Sequence, residues 1–355
     1  MAGAVDWDVA RRVANRVAGR EPFAESYHYD SLEPDFAVLT AQAEELVGAA
    51  TGLRSLAGPA RARVADRSMW VDANLASFQR LLRPLLQKMD PKVGGGAFGS
   101  VTRRISGAEL GMLLGWMSTR VLGQYDLLII EDEQVDEQDL VYYVGPNVLM
   151  MERRYAFPPK EFRLWLALHE VTHRAQFTGV PWLRPYFLSL VEELLASVDP
   201  DPQRLISALQ DVLEKKRAGD DPLANGGVMG ILATPEQKIA LDKISGMMSL
   251  LEGHGDVTMD RAGHGHVPSA ERFGRVLRQR RQETKGLMKL LQRLVGIEAK
   301  LQQYAQGEAF IAEVERAGGP ALLNRAFEAP ENLPTIAEIR NPSAWLARMS
   351  SPIVT

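Results

Sequence analysis

Apolar residues recur at three- and four-residue spacing through 36–47, 69–89 and 107–121, with Pro and Gly between the runs. That is the helical period, and it predicts a helical first region. Ahead of it, Val9, Val13 and Val17 line one side of a short amphipathic helix. Between Tyr125 and Met151 the pattern changes. DLLII and LVYYV are short β-branched and aromatic runs, and NVLMM follows the turn-like Gly145-Pro146, so a small sheet of two to four strands is expected there. Helical spacing returns at Pro159 and continues through KEFRLWLALHEVTHRAQF to Gly179, with Pro suited to a first turn and Gly to a helix end. Further helices are expected over 185–197, 202–217, 235–251 and 269–315. Gly-rich loops fall at 218–234 and near 253–265, and a Pro-punctuated tail closes the chain. The fold class expected is mainly α with a small mixed β-sheet. Its regions are a helical N-terminal lobe (1–124), a central region that holds the small sheet (125–268) and a helical C-terminal region (269–355).

Composition narrows the chemistry. The 355 residues are 46% hydrophobic and 24% charged with a net charge of −4, which argues against disorder and a nucleic-acid-binding tail. Cysteine is absent, so disulfides, thiolate nucleophiles and cysteine-bound metal are excluded. Any metal site must use His, Asp or Glu. The first twenty residues lack an apolar signal core, and the apolar run at 110–117 is too short to span a bilayer. A cytoplasmic protein with no membrane partner is expected.

Residues His169, Glu170, Val171, Thr172 and His173 spell H-E-x-x-H inside the strongest helical stretch. Spacing of i and i+4 puts both imidazoles on one face, about 6 Å apart along the axis, where one Zn2+ can take a nitrogen from each. Glu170 projects roughly 100° around the helix and can act as general base on an activated water. The flanking LWLAL and AQF are apolar on several faces, so the helix is read as central. Two histidines and a glutamate in such a place need a partner to offset their desolvation, and a metal supplies one.

A catalytic zinc takes three protein ligands and keeps one position open. His254, His264 and His266 cluster downstream, in a region reading SLLEGHGDVTMD. Glu252 is the favoured third ligand, because Asp256 four residues on can accept the free N–H of a zinc-bound imidazole. His254 is its rival. His264 or His266 is the candidate for stabilising a developing oxyanion.

HEVTH followed far downstream by EGHGD resembles the glutamate-zincin branch of the metallopeptidases. HEVTHRAQF, LLEGHGDVTMD, LVGIEAKLQQYAQGEAF and PENLPTIAEIRNPSAWLARM are similar, more closely, to an actinobacterial family of predicted zinc-dependent metalloproteases and hydrolases. That family is linked by gene neighbourhood to biosynthesis of a deazaflavin coenzyme. The resemblance implies a zincin-like metallopeptidase fold, zinc on His169, His173 and Glu252, and Glu170 as base. The segment between His173 and Glu252 is longer than in compact peptidases of that branch, which leaves the substrate class open.

Other signals are weaker. Gly94, Gly96 and Gly99 form G-x-G-x-x-G without a strand before them or βαβ alternation around them, so no nucleotide cofactor is expected. The basic run from Arg272 to Arg293 lacks interleaved aromatics and reads as a solvated helix face, not a nucleic-acid site. Tyr142, Tyr143 and Tyr155 read as packing residues. The function expected is a zinc-dependent hydrolase, a metallopeptidase acting on a peptide or amide-bearing small substrate. An extended substrate would add to a sheet edge at 143–150. The alternatives are a non-catalytic zinc-stabilised binding protein and an amide hydrolase for a non-peptide metabolite.

Overall fold

The computed structural model describes residues 5–23, 25–93, 97–125, 139–196, 234–282 and 297–350. It separates into two compact units, Met1–Gly179 with Thr258–Phe273, and Val180–Val257 with Gly274–Thr355. The three consecutive regions read from the sequence cut across these units.

The first unit opens with α1 (Trp7–Ala18), whose first turn is capped by Asp6 accepting from the Val9 N–H at 3.0 Å. Then come α2 (Tyr27–Asp30), α3 (Leu32–Thr51), β1 (Arg61–Ala65), α4 (Arg67–Val93) and α5 (Ala97–Ser118). After these follow β2 (Gly123–Tyr125), β3 (Leu140–Val144), α6 (Gly145–Tyr155) and α7 (Pro159–Gly179). Helix α1 lies on α5 through small residues on both sides. Ala10 and Ala14 are fully buried, and a methyl placed on Gly107, Gly111 or Gly115 would run into the carbonyl oxygens of Asp6, Ala10 and Ala14 respectively. Around this contact Trp70, Val71, Leu75, Leu114 and Val144 build the core.

The sheet has the order β1-β3-β2, with β1 parallel and β2 antiparallel to β3. All five residues of LVYYV are buried, as suits a central strand covered on both faces. Three expectations are corrected. RARVA, in the stretch read as helical, is the strand β1; its pairing Ala62↔Val141 and Val64↔Tyr143 with a distant segment outweighs local preference. NVLMM is not a strand, because α6 starts at Gly145 with Pro146 in its first turn. β3 offers no free edge at 143–150, since both of its sides are paired; among the described residues the outer strand beside α7 is β2.

Buried charges tie these pieces together. Arg174, 1% exposed, donates to Asp139, Glu44 and the Gly58 carbonyl. Asp139 holds a left-handed φ of 56° at the entry to β3. Arg163 pairs with Glu152 and Asp35; burial acts to lower its pKa, but these carboxylates outweigh that and raise it. Asn147 is fully buried, donates to the Ser118 and Val121 carbonyls at 2.7 Å and accepts from Arg67 at 3.0 Å, which anchors the turn leading into β2. Phe157, Phe162, Trp165 and Phe273 pack ring on ring at the start of α7.

The second unit holds α8 (Leu183–Ala196) and most of α9 (Pro235–Gly263). It continues with the greater part of α10 (Ala270–Gln282), α11 (Ile297–Asn324, broken at Gly319–Pro320), α12 (Ile336–Arg340) and α13 (Pro342–Ser350). The proline-punctuated tail is ordered by specific bonds. The buried Trp345 donates its indole N–H to the Asn332 carbonyl at 2.8 Å, and Arg348 reaches Glu338 and the Glu331 and Leu333 carbonyls. No helix among the described residues is long and apolar enough to cross a membrane. DLLII, the helix expected over 202–217, most of the loop at 218–234, Gly94 and Gly96 lie outside the described residues, as does the basic run beyond Gln282.

Candidate metal centre

Helix α7 carries HEVTH near its middle, and its other faces are the core of the first unit. Leu164, Leu166, Ala167, Leu168, Val171 and Phe177 are all buried. The two histidines are half-buried. Their Nε2 atoms stand 3.3 Å apart with the ring planes at 87°. Two zinc–nitrogen bonds of about 2.0–2.1 Å meeting at a tetrahedral angle subtend roughly 3.3–3.4 Å, so the pair already has the spacing of one edge of a zinc tetrahedron. His173 Nδ1 lies 3.0 Å from Gln176 Oε1. An amide oxygen accepts only, so Nδ1 carries the proton and the Nε2 lone pair is left for a metal. Gln176 is fully buried. The sequence reading missed it, although its place three residues after His173 on the same helix face was the available signal.

Glu170 is 8% exposed. Its Oε2 accepts from the main-chain N–H of Tyr125 at 3.1 Å, and its Cγ and Oε1 face Gly123. Both residues belong to β2 and were not foreseen as part of a site. The phenol of Tyr143 is fully buried against Phe36 and bonded to Thr40 at 2.8 Å. Burial pushes its pKa well up, and the Glu170 charge adds to that against the Thr40 bond. It is a packing residue, as expected.

Glu252, His254 and Asp256 all sit inside α9, because the helix continues through the Gly-rich stretch to Gly263. Glu252 is 6% and His254 5% exposed, while Asp256 is half-buried. Two residues apart on a helix, Glu252 and His254 point to nearly opposite sides, and the His254 ring packs on Phe327 with centroids 5.1 Å apart. The glycine between them has a steric reason: a methyl on Gly253 would collide with the Gly307 backbone of α11. His264 and His266 are exposed in the turn after α9, where water competes with any hydrogen bond they offer.

Set against known proteins, the profile of a family described as zincin-like metallopeptidase matches residues 5–346. The chain is also similar to a protein of known crystal structure from Chloroflexus aurantiacus, described as a candidate hydrolase with a novel fold. The identity is 32%, the TM-score 0.73, and the match covers 98% of this chain and 99% of that one. A search of curated proteins finds no match.

Proposed function

The chain belongs to the zincin-like metallopeptidase family, and we propose that within it the chain is a zinc-dependent hydrolase acting on peptide bonds, with His169, His173 and Glu252 as metal ligands and Glu170 as general base. The observation that carries this reading is the 3.3 Å separation of the two Nε2 atoms, next to a buried carboxylate on the same helix. In this reading the two imidazoles of α7 and the buried carboxylate of Glu252 on α9 supply the three protein donors that a catalytic zinc takes. Glu252 is preferred over His254 because the latter is engaged with Phe327.

When bound, zinc supplies a Lewis acid that polarises the scissile carbonyl and lowers the pKa of water towards 7. The protein's own groups then move the proton. Glu170 takes it as the new C–O bond forms, and returns it to the leaving nitrogen as the C–N bond breaks. Asp256 is the proposed acceptor for the free N–H of a ligand histidine. His264 or His266 is kept as oxyanion donor, a role that requires substrate to cover the exposed turn. Among the described residues β2 is the outer strand beside α7, and the side of it facing away from β3 is the proposed place for an extended peptide.

The test is metal analysis together with turnover of a mixed peptide library read by mass spectrometry. Wild type should hold about one zinc and cleave; Glu170→Gln should hold the same zinc and lose at least about 10²-fold in rate. Zinc without cleavage of any peptide would refute the peptidase reading. Amide-bearing precursors of a deazaflavin coenzyme are the second substrate class, drawn from the family resemblance, and a library of these belongs in the same assay. Zinc in an inactive protein would indicate a binding role.

A further inference from the structure

Gly123 is the first residue of β2, and its φ is not among the positive values seen at Gly19, Gly52, Gly58, Gly265 and Gly319. Backbone conformation therefore does not require glycine there. Space does. A methyl at this position would lie 2.7 Å from both Cγ and Oε1 of Glu170 and 2.9 Å from its Cδ, well inside van der Waals contact.

Two residues on, the Tyr125 N–H donates to Glu170 Oε2 at 3.1 Å. Among the described residues β2 pairs with β3 alone, and the Tyr125 N–H goes to the Glu170 side chain instead of to a strand. The strand cannot easily retreat from Glu170. Gln124, between the two contacts, accepts from the Trp70 indole at 2.8 Å and exchanges bonds with Asn74 on α4, and Gly123 is in register with Tyr143 of β3.

We propose that β2 is the seat of the general base, with the Tyr125 main-chain N–H orienting the Glu170 carboxylate and Gly123 the positioning residue that leaves room for it. The inference rests on the reading of Glu170 as base and adds what holds that base in place. A carboxylate held by the Tyr125 N–H and packed against Gly123 has little orientational freedom to lose when it takes up a proton in the transition state.

The experiment is Gly123→Ala, alone and with changes at Glu170. The atoms the new methyl meets belong to a side chain, so the single variant should fold, bind one zinc and melt within a few degrees of wild type. It should lose at least about tenfold in kcat on a peptide that wild type cleaves, with KM within about twofold. In a Glu170→Gln background it should cost no further activity, because both changes act through one group. Retained kcat, or an equal loss in both backgrounds, would overturn the proposal. A second readout needs no turnover: whatever stability Gly123→Ala loses should be absent in a Glu170→Ala background, where the displaced atoms are gone. If Gly123→Ala does not fold, Gly123→Ala/Glu170→Ala must; failure of that rescue refutes the contact. A wild type that binds no zinc or cleaves nothing, with the stability coupling intact, would refute the hydrolase reading and leave the contact standing.

Discussion

His173 Nδ1 lies 3.0 Å from the Oε1 of Gln176, an amide fully enclosed one turn further along α7. The bond fixes the tautomer of the imidazole and the plane in which its Nε2 faces His169. Groups in this position characteristically change metal affinity by about 10–100-fold when removed. Gln176→Ala is expected to weaken zinc binding by that factor, measured by competition with a chromophoric chelator. An affinity unchanged within about twofold would mean that the bond does not order the ring.

Glu252 and His254 make opposite predictions on the same assay. Zinc content should fall below about half an equivalent in His169→Ala, His173→Ala and Glu252→Ala, because catalytic zinc uses three protein ligands. His254→Ala, which removes a ring packed on Phe327, should keep its zinc. Full occupancy in Glu252→Ala with loss in His254→Ala would transfer the ligand role.

Gly307 contacts α9 with its backbone: a methyl there would collide with the Ser249 carbonyl, and Gly253 faces it across the crossing. No side-chain rearrangement relieves a backbone clash. Gly307→Ala should therefore destabilise by about 1–3 kcal/mol, the usual cost of overpacking, and lower zinc affinity through displacement of the turn that carries Glu252. Urea unfolding and zinc competition read the two effects; a variant as stable as wild type would mean the helices separate without cost.

Arg174 is 1% exposed and holds two carboxylates, those of Glu44 and Asp139, that are only partly exposed. Removing the cation leaves them without their charge partner. Arg174→Met is expected to cost about 3 kcal/mol, the lower end for breaking a buried pair because the acids keep some water. Chemical denaturation is the measurement, and a loss under about 1 kcal/mol would count against the network.

Glu338 has a sign that acid titration can check. Burial acts to raise its carboxyl, but Arg348 and the Thr335 backbone N–H outweigh this and hold it below its ordinary 4.5. A lowered folded pKa means that the stabilisation is present above the unfolded value and disappears as pH falls through the folded one. Glu338→Gln should melt below wild type at pH 7, and the gap should close in acid, beginning near pH 4.5. A gap that persists unchanged to pH 3 would show that the carboxylate charge contributes nothing.

How much of this was legible in advance follows from the range over which each signal acts. The helix at 159–179, the shared face of His169 and His173 and the apolar run of β3 are written in local periodicity, which one segment carries by itself. So is the family resemblance, because it resides in short strings such as HEVTH and EGHGD. β1 went unrecognised between the helical runs at 36–47 and 69–89, and residues 147–151 were read as strand, because pairing with a distant segment and a proline in a first turn outrank short-range preference. The seat of Glu170 was invisible for a deeper reason. Every residue but proline has a main-chain N–H, so nothing in the identity of Tyr125 marks it as the donor, and glycine has so many uses that Gly123 and Gly253 announce none of them. The sequence by itself determined which residues have metal and proton chemistry and which helices bear them. Only tertiary packing, bringing β2 against α7 and α11 against α9, decided how Glu170 is aimed and why glycine must stand beside Glu252.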